Sequence, residues 1–145
     1  MTLAADPRPD YAYVPGQNPR HPEGAFDAIR ASAETDPLGS DALRIGLDWI
    51  DAGFYWEAHE VLEPVWLVLP DGPDRVGIQA LIQLANAGLK ARMNRPSAAL
   101  RLCDIAARLL DEAAPFTPPH RPAGWFTLRV ESIRSSAKIA AKDAV

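Results

Sequence analysis

The sequence predicts an all-α domain, a single helical bundle of about five or six helices with a Pro-rich N-terminal arm. Three observations carry this. No stretch alternates apolar and polar residues between turn signals, so no strand is expected. Successive segments instead space their apolar residues three and four apart, each bounded by Pro or Gly. One of them, about residues 73–93, is apolar nearly all round, as befits a central helix.

The 145 residues suffice for one domain that buries roughly two-thirds of its unfolded surface. Hydrophobic content of 48% and charged content of 23% are ordinary for globular chains and argue against wholesale disorder. A net charge of −4 without any block of like charge argues against a nucleic-acid partner. No run approaches a membrane span, and residues 1–10 hold no apolar stretch of signal-peptide length. A lone Cys103 excludes an intrachain disulfide and suits a reducing compartment, so the expected location is cytoplasmic.

The prolines punctuate the chain. Residues 1–22 carry five of the fourteen and read as an extended arm, since proline forbids helix at itself and disfavours it just before. Tyr11, Tyr13 and Val14 are expected to anchor the arm along the domain, which occupies 23–145 with its core at 41–113. Pro22 opens a short helix from Glu23 to about Ala33, burying Phe26 and Ile29. Ser40 or Asp41 caps a second helix, about 41–52, that buries Leu43, Leu47 and Ile50 and stops at Gly53. A third covers about 54–69, with Phe54, Ala58, Val61, Leu62, Val65 and Val68 as its apolar arc. Pro64 removes one backbone bond there and crowds the carbonyl of Glu60, so a kink or break is expected. After the Leu69-Pro-Asp-Gly-Pro-Asp turn comes the central helix. Pro96 starts a fifth, about 96–113, and a linker through Pro122 leads to the last, about 124–142, burying Trp125, Leu128 and Ile133.

Chemistry concentrates in Phe54 to Trp66. His59, Glu63 and Trp66 fall on one helical stripe at i, i+4 and i+7. A His and a Glu one turn apart can share a proton or a metal ion, so both are candidate catalytic residues and candidate ligands of a divalent metal. Two ligands do not complete a zinc site, and the string His-Glu-x-x-Glu lacks the second His of the zinc-protease motif. The central helix carries a polar stripe of Gln79, Gln83, Asn86 and Lys90, whose amides need partners. If His59 and Glu63 face Gln79 and Gln83, both groups are satisfied and a polar pocket forms between the two helices. Glu57, at the other edge, is a further candidate to meet a glutamine, and Glu60 points most nearly to solvent. The candidate binding residues are therefore Glu57, Glu60, Trp66, Gln79 and Gln83. His21 and His120 are expected at the surface, and Cys103 as a small core residue.

The segment Gly53-Phe-Tyr-Trp-Glu-Ala-His-Glu-Val-Leu-Glu-Pro-Val-Trp66, followed by Ile78-Gln-Ala-Leu-Ile-Gln-Leu-Ala85, resembles the bacterial and archaeal domain-of-unknown-function family 309. That family is marked by His-x-x-x-Glu-x-x-Trp/Tyr, here His59, Glu63 and Trp66. The resemblance implies a small helical fold and a motif that has been suggested to bind metal, with no established activity. Two functional classes follow. One is metal-assisted or acid–base hydrolysis of a small substrate; the other is a non-catalytic interaction or scaffold domain, in which the His–Glu–Gln network is architectural. A homo-oligomer is compatible with both.

Overall fold

The computed structural model describes residues 7–143; the first six residues of the expected arm and the last two of the chain lie outside them. Among the described residues there are six α-helices and no strand: α1 Asp27–Ala31, α2 Asp41–Ala52, α3 Tyr55–Val68, α4 Pro73–Arg92, α5 Pro96–Glu112 and α6 Trp125–Asp143. A single 3₁₀ turn, Pro37–Gly39, precedes α2. None of these helices is long and apolar enough to cross a membrane.

The helix ends follow local chemistry. The Ser40 hydroxyl accepts from the backbone N–H of Leu43 at 3.2 Å and caps α2, and Gly53 closes that helix at φ +83°, where a side chain would strain the backbone. Pro73 and Pro96 occupy first-turn positions of α4 and α5, where the missing N–H has no helical partner to lose. The first helix is shorter than its sequence suggests. Gly24 sits at φ +83°, and the N–H groups of Ala25 and Asp27 bond three residues back, so residues 23–26 form turns before α1 begins.

Two helices hold the core together. α4 lies between α3 and α5 with Ile78, Leu81, Leu84, Ala85 and Ala87 fully buried, as its all-round apolar pattern requires. α2 lays Leu43, Leu47, Ile50 and the unanticipated Trp49 against α3. Close approach depends on Gly88 of α4, whose Cβ, if it had one, would meet the Tyr55 ring of α3 at 2.4 Å; Gly77 likewise faces Phe116. The last helix and the linker before it are tied to α2 by Asp51, which accepts from Trp125 Nε1 at 2.8 Å and Arg129 Nε at 2.8 Å in the helix and from Arg121 Nε at 3.2 Å in the linker. Cys103 is buried in the core, and burial pushes its thiol up to about 11, so it stays protonated and inert near neutral pH.

Three expectations are corrected. Leu128 is 68% exposed, because α6 buries Phe126, Val130, Ile133 and Ala137, a stripe from which Leu128 points away. Val68, 44% exposed, is the last residue of α3, and the core contact there is made by Leu69 instead. Pro64 does not break α3, which is continuous from Tyr55 to Val68. The carbonyl of Glu60, deprived of its helical donor, instead accepts a hydrogen bond from Nη1 of Arg30 in the last turn of α1, so this backbone acceptor is not stranded.

The contact between α3 and α4 sets one expectation. Gly88→Ala improves helix propensity by about 1 kcal/mol but drives a methyl into the flat of the Tyr55 ring. The clash prevails, and urea denaturation should show a net loss of about 1–2 kcal/mol; equal or greater stability would mean that the ring moves freely.

Candidate functional site

The helix α3 distributes its carboxylates over three environments. Residues spaced by 100° place Glu57 beside the buried arc of Ala58, Val61, Leu62 and Val65, and turn His59, Glu60 and Glu63 toward the edge. Glu57 is fully buried. Its Oε2 accepts from the backbone N–H of Tyr13 at 2.7 Å and pairs with His21 Nε2 at 2.6 Å. Its Oε1 has no hydrogen-bond partner among the described residues.

His21, expected at the surface, has a side chain only 6% exposed. Its imidazole is walled by Tyr11 (ring centroids 4.7 Å apart), Phe26 (5.4 Å) and Trp56 (6.1 Å). The arm brings it there through its own turn chemistry. The Asn18 side chain accepts from the Val14 N–H and donates to the Ala12 carbonyl, the Gln17 N–H bonds the Val14 carbonyl, and the Tyr11 hydroxyl donates to the Pro19 carbonyl. Val14 is buried beneath this loop. The partner expected for Glu57 was a glutamine on the neighbouring helix; the arm supplies it instead.

Glu60 is not simply solvent-facing. It is about one-third exposed and, with His21, Arg20, Phe26, Arg30 and Trp56, lines a cleft of about 190 Å³ between the arm, α1 and α3. His59 Nδ1 lies 3.6 Å from Glu60 Oε1, and Arg30 Nη1 lies 3.6 Å from Glu60 Oε2. Hydrogen bonding to His59 holds the Glu60 carboxyl below its usual range against the opposing effect of burial, with the charges of His59, Arg30 and Arg20 adding to it.

His59 and Glu63 do come together, with Nε2 at 3.6 Å from Glu63 Oε2. They do not meet the amide stripe: among the described residues neither makes a hydrogen bond to Gln79 or Gln83, which are half-buried, and Gln83 Oε1 accepts from Asn86 at 3.5 Å. The reason is helical phase. Gly88 marks the flank of α4 that touches α3, and Gln79, nine residues earlier, lies two and a half turns away on the opposite flank. Trp66 stacks under Arg75, whose guanidinium carbon is 3.9 Å from the ring centroid and whose Nε donates to the Trp66 carbonyl at 3.0 Å.

A resident metal does not fit this donor set. Glu60 and Glu63 approach opposite nitrogens of the His59 ring, so the three cannot converge on one ion. No group of three or more His, Cys, Asp or Glu among the described residues is placed to hold a metal ion.

Residues 43–102 match the model of a family described as Domain of unknown function (DUF309), which this segment resembles. No curated protein and no solved structure matches the chain. The matched segment contains Glu57, His59, Glu60, Glu63 and Trp66, whereas His21, Arg20 and Arg30 lie outside it.

Two measurements check these environments. Glu57→Ala removes the acceptor of two buried bonds and should cost at least about 2 kcal/mol on denaturation; Glu63→Ala, in an exposed pair, should cost less than about 0.5 kcal/mol. For Glu60, a depressed carboxyl contributes stability that is complete above the ordinary glutamate range and lost as pH falls through its folded value. In an NMR titration, His59→Ala should therefore move the Glu60 midpoint upward, and an unmoved midpoint would remove His59 as the cause.

Proposed function

We propose that this protein is an acid–base enzyme of hydrolytic type, acting on a small substrate in the cleft between the arm, α1 and α3, with His21 as its base. The observation that supports this most is the His21–Glu57 pair. With Nε2–H donating to Glu57 Oε2 at 2.6 Å, Nδ1 is left as the proton acceptor of the neutral ring. A carboxylate that orients an imidazole is the arrangement by which a histidine takes a proton from water. The rings of Tyr11, Phe26 and Trp56 restrict both the imidazole and the solvent around it. Glu60, kept ionised on the cleft wall, serves as a binding group. In this reading His59 and Glu63 tune Glu60 rather than react, and Gln79 and Gln83 lie outside the site. A cytoplasmic location belongs to the same proposal, supported by the single buried thiol of Cys103.

A second reading, the non-catalytic interaction domain, is favoured by one feature. Glu57 also accepts the Tyr13 backbone N–H, so the same carboxylate pins the arm. Activity separates the two. Against a panel of model esters, amides and phosphoesters, His21→Asn should lower the turnover of any hydrolysed member on the order of 10²-fold or more. Glu57→Gln should lower it as well, since a neutral amide holds the imidazole less firmly than a carboxylate. Turnover equal to that of the parent protein in folded His21→Asn would sink the catalytic reading. Absence of all turnover, combined with a large fall in melting temperature in both variants, would favour the architectural one.

A further inference from the structure

Pro64 has a consequence for the cleft. The Glu60 carbonyl that it leaves without a helical donor is taken by Arg30 Nη1, and the same nitrogen stands 3.6 Å from Glu60 Oε2. One residue thus holds Arg30 through two acceptors. Arg30 Nε and Nη2 make no hydrogen bond to protein among the described residues. Those two nitrogens form the edge of a guanidinium that meets a carboxylate or phosphate with two parallel bonds. Arg30 is about two-thirds buried on the cleft wall, where its interaction with an anion is less weakened by water than at the open surface. Arg20, exposed at the rim of the same cleft, has its guanidinium carbon 5.8 Å from the Trp56 ring centroid and acts on Glu60 through its charge, without a close ion pair among the described residues. The acidic groups of the lining do not cancel this. Glu60 is already matched by Arg30 and His59, and Glu23 and Asp27 stand exposed at the rim, where solvent screens them.

We propose that the cleft contains an anion subsite in which Arg30, held in place by the carbonyl that Pro64 frees, receives the carboxylate or phosphate group of a small ligand, with Arg20 as the second cation. This names the substrate class of the cleft and rests on reading the cleft as the ligand site. Pro64 is then a positioning residue, acting through Arg30.

The test is binding, followed on the full chain by the side-chain Nε–H NMR signals of its arginines, with acetate and inorganic phosphate as separate probes. One or both should shift the Arg30 signal saturably in the millimolar range, and the exposed Arg108 should not follow. Saturation by phosphate alone assigns a phosphoryl ligand, and by acetate alone a carboxylate. Pro64→Ala restores a helical donor to Glu60, so it should hold or raise the melting temperature while weakening the probe about tenfold. An Arg30 signal that neither probe moves, or that moves only in step with Arg108, overturns the subsite. Undiminished affinity in folded Pro64→Ala overturns the role of the proline. Since neither readout uses turnover, a failure here leaves the His21 base untouched, and an inactive His21 leaves the subsite standing.

Discussion

A carboxylate can be buried only where hydrogen-bond donors replace the water it loses, and in this chain that requirement falls on Glu57. Its donors come from the arm, the Tyr13 N–H and the His21 imidazole, more than thirty residues away in sequence. The arm, α1 and α3 are consequently one unit. Without Glu57 the arm would keep its aromatic contacts but lose the polar group that orients them. Without the arm, Glu57 would lose both of its hydrogen-bond donors.

The same helix resolves a second mismatch of donors and acceptors. A proline inside α3 leaves the Glu60 carbonyl without its helical donor, and Arg30 supplies the missing bond from outside the helix. The chain therefore spans Pro64 without a break and fixes a cation on the cleft wall. Both cases follow from the need of polar groups removed from water for partners, a need that Glu57 meets at Oε2 but not at Oε1 among the described residues. Both partners lie outside residues 43–102, the segment that resembles Domain of unknown function (DUF309). The cleft is thus built jointly by the matched core, which lines it with Glu60 and Trp56 and backs it with the buried Glu57, and by flanking segments that supply His21, Arg20 and Arg30.

The helices themselves were legible in the sequence because each is bounded by residues with local conformational rules. Ser40, Gly53, Pro73 and Pro96 act on their own backbone, so their effect needs no knowledge of neighbours. The density of chemistry in residues 54–66 was legible too, and four of its residues belong to the environments around the cleft: Trp56, Glu57, His59 and Glu60. Which of them matter there was not. Helical spacing showed that Gln79 and His59 each lie on a definite stripe of its own helix, but nothing local says at what rotation two helices meet. That rotation is set by where Gly88 admits the Tyr55 ring. The phase of α6 went astray for the same reason, since Leu128 and Val130 are equally apolar and packing selected Val130.

From the sequence alone came the all-α class, the positions of the principal helix ends, the buried thiol and the stretch of α3 that carries the acidic and aromatic groups, because each follows from periodicity or from a residue's own backbone preference. The tertiary structure alone decided that the polar partner of Glu57 is His21 rather than a glutamine, and that Pro64 is bridged rather than disruptive. Both depend on contacts between residues more than twenty positions apart. Such contacts are chosen by which donors the folded chain can bring to a buried acceptor, a selection that no local pattern encodes.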